Sequence, residues 1–169
     1  TLVFAPVPKT AVTISGLTAP ASLSYSGAPV SGSAFGTPAA VGQPSLDSTL
    51  VYTYTGTGST VYGPSAAAPT NAGTYQLTVS VPQSNTDFTG SVSLPFTIAP
   101  AKITVSAGSA KISKVYDGTA GAGTLSGALS VSGILPSDSG VSVQVGAVPA
   151  YAAKGVISNG LLGLPVSLS

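Results

Sequence analysis

Few side chains in this sequence can do chemistry. Its 169 residues include no His, Cys, Glu, Arg, Trp or Met. Serines are plentiful, but no histidine is present to take a proton from one. A Ser–Lys pair drawn from the five lysines is the remaining activated nucleophile, and no spacing fixes such a pair. The carboxylates are Asp47, Asp87, Asp117 and Asp138, scattered singly and without the spacing of a calcium loop. No metal, no cofactor and no enzymatic activity are therefore expected. Asp117, in Tyr116-Asp117-Gly118, reads as a turn residue whose carboxylate bonds its own backbone, and Asp138 in Pro136-Ser137-Asp138-Ser139-Gly140 reads the same way. A Lys–Asn cross-link would need a carboxylate to assist it, and with Glu absent only an aspartate is available. The lysines form no basic cluster, so the electrostatic footprint of a nucleic-acid binder is missing.

The tyrosines offer a second kind of chemistry. Tyr52, Tyr54 and Tyr62 together could form an aromatic platform for glycans. Tyr52 and Tyr54 share a strand face with Leu50, which favours core packing for those two. Tyr75, in Asn71-Ala72-Gly73-Thr74-Tyr75, reads either as a corner tyrosine whose hydroxyl ties its strand to an upstream backbone group or as a plain core tyrosine.

The elements that must position these residues repeat. Lys114-Val115-Tyr116-Asp117-Gly118 has a partial copy 91 positions upstream, Leu23-Ser24-Tyr25-Ser26-Gly27. At the same offset, Val12-Thr13-Ile14-Ser15 answers Ile103-Thr104-Val105-Ser106. In each copy a strand-like alternation is followed by a Tyr-x-Gly turn, with Tyr25 and Gly27 in the first and Tyr116, Asp117 and Gly118 in the second. A fixed period of this size implies two related domains of about 90 residues each.

Composition sets the class. The chain is 43% hydrophobic and only 5% charged, with 21 Gly and 14 Pro. Most strong helix formers are missing, while Val and Thr between Gly, Pro, Ser and Asn point to short strands. The expected fold is all-β, as two tandem Ig-like antiparallel β-sandwich domains, the second incomplete at its C-terminus. A formal net charge of +1 leaves little repulsion between copies, so association with itself is expected. Cytosolic domains usually carry far more charge, which favours an extracellular site. No apolar run reaches the length of a membrane span and no signal peptide opens the chain, which reads as a piece of something longer.

Along the chain, strands are expected at 11–15, 22–25, 50–54, 74–81 and 92–98. The passage 28–48 is expected to be an ordered loop with one short strand, anchored by Phe35 and Val41. Pro95 should occupy an edge position, because it cannot donate to a ladder. Ala99-Pro100-Ala101 is a stiff linker. In the second domain strands are expected at 102–106, 124–132, 141–148 and 162–168. The boundaries are 1–5 for a strand outside the first domain, 6–99 and 100–169 for the two domains.

The block Lys114-Val115-Tyr116-Asp117-Gly118-Thr119, preceded by Ala101-Lys102-Ile103-Thr104-Val105, resembles the YDG-type domain of large bacterial surface adhesins of the filamentous-haemagglutinin kind. The first domain is similar to the MBG-type, bacterial Ig-like, glycine-rich repeats, on Pro69-Thr70-Asn71-Ala72-Gly73-Thr74-Tyr75, Phe88-Thr89-Gly90 and Phe96-Thr97-Ile98-Ala99-Pro100-Ala101. The resemblance implies a secreted, repeat-built surface protein and brings no catalytic residue. It also implies that a YDG-type domain ends in a further strand, which Thr1-Leu2-Val3-Phe4 resemble. Leu2, Val3 and Phe4 are therefore expected to complete a neighbouring YDG-like domain, within an array or by strand donation between subunits. The expected role is a structural repeat of an extracellular filament or adhesin that contacts its own copies. The alternative is an adhesive module for surface glycans or a host.

Overall fold

The structure is a computed structural model that describes residues 7–138 and 140–148, together with the backbone of 166–168. Leu2, Val3 and Phe4 lie outside the described residues. The chain divides into two compact units, Thr1–Ala101 and Lys102–Ser169. Its described regular structure is β, with two short 3-10 turns at Gly32–Phe35 and Pro44–Thr49.

In unit 1 the longest strands arise where apolar and polar residues alternate. Strand β6 (Gly73–Ser80) buries Tyr75, Leu77 and Val79 and sends Thr74, Gln76 and Thr78 outward. Strand β8 (Ser91–Ala99) pairs antiparallel with it over its length and buries Phe96 and Ile98. With β3 (Leu23–Ser24) and β5 (Val51–Gly56) they form a four-stranded sheet in the order β3-β8-β6-β5. On the outer face Thr78 and Ser93 join their hydroxyls across the ladder at 2.9 Å. A separate antiparallel pair, β2 (Ile14–Leu17) with β4 (Gly36–Ala40), contributes Ile14 and Ala40 to the same core. Phe35, fully buried at the end of the first 3-10 turn, meets Phe96 edge-on at 4.8 Å and Tyr54 at 6.3 Å.

Several expectations needed correction. Two short pairs are parallel rather than antiparallel: β1 (Thr10–Ala11) with β7 (Phe88–Thr89), and β3 with β8. The strand expected at 11–15 is broken between β1 and β2. Val41 is no anchor. β4 buries Pro38 and Ala40, so the alternation turns Val41 outward, 58% exposed, and Leu46 from the second 3-10 turn fills the core instead. Pro95 sits in an inner strand by order, yet β3 reaches only Ile98 and Ala99 of β8. Val81 N–H donates to Gly90 C=O, and the ladder parity from there points the Pro95 nitrogen away from β6, into the uncovered stretch.

Among the described residues, unit 2 shows three antiparallel pairs: β9 (Thr104–Ser106) with β12 (Ser130–Ser132), β10 (Lys111–Ser113) with β11 (Thr124–Ser126), and β13 (Val143–Val145) with β14 (Val166–Leu168). The strand expected at 124–132 is two strands, because Gly127 takes φ +77° between them. Strand β10 was not expected, and of 162–168 only β14 lies within the described residues. None of the described side chains of this unit is buried; its apolar residues are half-buried or exposed.

The 91-residue offset reaches the pairing register. Ile14 opposes Ala40 and Ser15 opposes Ala39 in unit 1; Val105 opposes Val131 and Ser106 opposes Ser130 in unit 2. Three glycine pairs at that offset, Gly27/Gly118, Gly36/Gly127 and Gly42/Gly133, all have positive φ. At Gly36 a Cβ would collide with the Gly16 carbonyl, and at Gly127 with the Ser109 carbonyl, so both positions exclude a side chain for two reasons.

Candidate functional site

The two Tyr-x-Gly turns share the φ of their glycine and differ in chemistry. Gly27 and Gly118 both have φ +74°. In unit 2 the turn is locked by charge. The Lys114 ammonium donates to Asp117 Oδ1 at 2.9 Å, to Thr119 Oγ1 at 2.7 Å and to the Thr119 carbonyl at 3.0 Å. Asp117 Oδ1 also accepts from the Thr119 N–H at 2.9 Å and the Thr119 hydroxyl at 2.8 Å. The Lys114 hydrogen bond, then the two Thr119 donors, hold the Asp117 carboxyl at about 2, below its ordinary 3.8. Unit 1 has Leu23, Ser26 and Ala28 at the matching positions, so the lock belongs to unit 2 alone.

This cluster places a lysine beside a hydroxyl, the arrangement a Ser–Lys-type nucleophile would need. Its hydrogen bonds work against that use. The Lys114 nitrogen is spent on Asp117 and Thr119 oxygens, and the Thr119 hydroxyl already points its own hydrogen to Asp117. A hollow of about 410 Å³ beside the turn is lined by Lys114, Asp117, Val115 and small residues, and its two charged groups satisfy each other.

Tyr75 combines both roles considered for it. Its ring is buried, stacked on Phe96 at 5.4 Å, and its hydroxyl donates to the Asn71 carbonyl at 2.8 Å. The Gly73 between them has a reason to be glycine: a Cβ there would press on Thr60 and approach the Tyr75 hydroxyl to 3.1 Å. Burial raises the Tyr75 hydroxyl above the ordinary tyrosine value, and Tyr62 adds to the effect; Tyr54 is raised by burial, then by Tyr52 and Tyr62.

Tyr52 and Tyr54 pack with the core, the reading favoured for them, and the three tyrosines form no glycan platform. Tyr54 is buried and Tyr52 half-buried in the core. Tyr62 meets the edge of Tyr75 at 5.7 Å and spends its hydroxyl on the Ala67 carbonyl at 2.8 Å. The three rings therefore serve the core and its margin. Tyr25 is half-buried against the core, whereas Tyr116 is 70% exposed.

Two polar residues were missed in the sequence. The Asp47 carboxylate accepts the Ala40 N–H at 2.7 Å, pinning the second 3-10 turn to β4. Asn85 Oδ1 accepts the N–H groups of Asp87 and Phe88, at 3.0 and 2.7 Å, shaping the turn before β7. Both are short-range side-chain-to-backbone devices of the kind Asx residues supply. Asp138 donates its N–H to the Leu135 carbonyl. Among the described residues, no cluster of three potential ligands could hold a metal, no hydrogen bond joins a lysine to an asparagine side chain, and no helix is long and apolar enough to cross a membrane.

No family model, curated protein or solved structure matches the chain.

Proposed function

We propose that this chain is a structural repeat of an extracellular bacterial surface adhesin or filament. In this reading 6–99 forms an MBG-like Ig-type sandwich and 100–169 a YDG-like one. The two are joined stiffly through Ala99-Pro100-Ala101, and Leu2, Val3 and Phe4 complete a neighbouring YDG-like domain. The observation that carries the reading is the 91-residue offset, which recurs in the register of one strand pair, β2–β4 against β9–β12, and in three pairs of positive-φ glycines as well as in sequence. Repeated modules of this kind extend a chain by adding similar units. Function then lies in length, stiffness and contact between copies. Net charge of +1 and exposed apolar side chains, among them Val7, Val61 and Val115, favour such contact. The polar constellations support it as well, since Lys114–Asp117–Thr119 and Tyr75–Asn71 are closed on themselves and stabilise turns. Electron microscopy of native material tests the reading: filaments with an axial period of one two-unit repeat support it, and dispersed monomers contradict it.

A second reading, an adhesive module for surface glycans or a host, is favoured by one observation, the exposed ring of Tyr116. Glycan-array binding that is lost in Tyr116→Ala and kept in Tyr62→Ala would support it over the filament.

A further inference from the structure

At the 91-residue offset Leu23-Ser24-Tyr25 answers Lys114-Val115-Tyr116, and in unit 1 it has a neighbouring strand that no described residue supplies in unit 2. In unit 1, β3 runs parallel to β8, with Leu23 opposite Ile98 and Ser24 opposite Ala99. The Tyr25 N–H donates to the Ala99 carbonyl at 2.8 Å, and the Tyr25 ring rests against the core. The matching residues of unit 2 are Lys114, Val115 and Tyr116. Among the described residues no strand pairs with these three, and Val115 is 88% and Tyr116 70% exposed. In the same unit, Val131 is 37% exposed where its counterpart Ala40 is buried. A segment that no described strand pairs with and that exposes large apolar side chains is a template for an added strand.

The sequence also contains a segment of the right pattern. In unit 1 the place is filled by the end of β8, Phe96-Thr97-Ile98-Ala99, followed by Pro100. The same pattern of apolar, β-branched, apolar, Ala, Pro recurs at Leu2-Val3-Phe4-Ala5-Pro6. We infer that Leu2–Ala5 of a second copy of this chain adds as a parallel strand beside Lys114–Tyr116. The register follows from unit 1: Phe4 opposite Lys114, Ala5 opposite Val115, and the Tyr116 N–H donating to the Ala5 carbonyl. Pro6 then ends the ladder, as Pro100 does after β8, because it has no donor to give. The donor segment is uncharged and Lys114 is neutralised by Asp117, so the contact is made by backbone bonds and apolar cover. This assignment rests on the assembly reading above and names its acceptor.

The chain has no cysteine, which makes the register directly testable. A copy carrying Ala5→Cys is mixed with one carrying Val115→Cys under mild oxidation. The control pairs Ala5→Cys with Val61→Cys, a fully exposed position on unit 1. The expected result is covalent dimer formation at least tenfold faster for the Val115 pair, insensitive to added salt and suppressed by a peptide of residues 1–8. Equal rates for the two pairs, or no competition by the peptide, would overturn the acceptor. Sedimentation of the wild-type chain separates the two ideas. Wild-type association with equal cross-linking rates refutes this acceptor and leaves assembly standing, whereas a monomeric wild type with no cross-linking refutes both.

Discussion

Replacing Tyr75 by Phe removes one hydroxyl and leaves the packing in place. The ring keeps its stack on Phe96 and its edge contact with Tyr62; only the 2.8 Å bond to the Asn71 carbonyl is lost. A neutral hydrogen bond contributes about 1 kcal/mol net, and a buried acceptor left alone costs about 1–3 kcal/mol. Asn71 itself is exposed, so water can rescue part of that carbonyl, and the expected loss is about 1.5 kcal/mol. For a domain of this size that corresponds to a fall in melting temperature of roughly 6–12 °C. Tyr62→Phe removes a bond of the same length to the Ala67 carbonyl at an exposed site and should cost about 0.5 kcal/mol. The assay is urea unfolding followed by tyrosine fluorescence and near-ultraviolet circular dichroism, with the two units fitted as separate transitions. Only the unit 1 transition should move. A Tyr75→Phe variant within about 0.3 kcal/mol of wild type, or no worse than Tyr62→Phe, would refute the corner as a source of stability.

Stability should be flat with pH from about 5 to 9, because the sequence has neither His nor Cys. At the acid end, the Asp117 contribution is present above its unfolded value of 3.8 and is lost as pH falls through about 2, with small amplitude because the carboxylate is half-exposed. At the alkaline end, Tyr54 and Tyr75 hold their protons longer folded than unfolded, so stability falls as pH rises past 10.0; a melting temperature that changes between about pH 5 and 9, or that keeps its plateau value at both extremes, would contradict this account. Gly36→Ala should cost more than about 2 kcal/mol by chemical unfolding, from its positive φ and the collision with the Gly16 carbonyl, whereas Gly32→Ala, with open space around it, should stay within about 0.5 kcal/mol. Leu46→Ala should cost about 2–5 kcal/mol and Val41→Ser no more than about 0.5 kcal/mol; the reverse order would restore Val41 as the anchor of the 28–48 passage.

Where one face of a strand is dry and the other wet, the sequence was readable. Tyr75, Leu77, Val79 and Val81 were expected on one face, and all four are buried. The passage 28–48 was not readable in this way, because 3-10 turns have no period-two signal and the core residue Leu46 lies inside one. The parallel pairing of β3 with β8 joins segments far apart in the chain, and alternation says which face is buried but not which strand lies alongside. The division at Gly127 depends on a positive φ, which a glycine permits but does not announce. Of the candidate site, the turn role of Asp117 was legible from Tyr-Asp-Gly itself. Its lock to Lys114 was not, since a lysine three residues earlier is common and this one meets the carboxylate only because the turn curls back. Tyr62 failed as a platform member because its partners, Tyr75 and the Ala67 carbonyl, come from other segments.

The central claim is that this chain is a repeat that builds an assembly from its own copies. Its most direct test is sedimentation velocity of the wild-type chain from low micromolar to near-millimolar concentration, with the products imaged by electron microscopy. The claim requires a concentration-dependent series of multiples of the 16.2 kDa chain that grows into filaments with one two-unit repeat per axial period. A single monomer boundary at every concentration would contradict it.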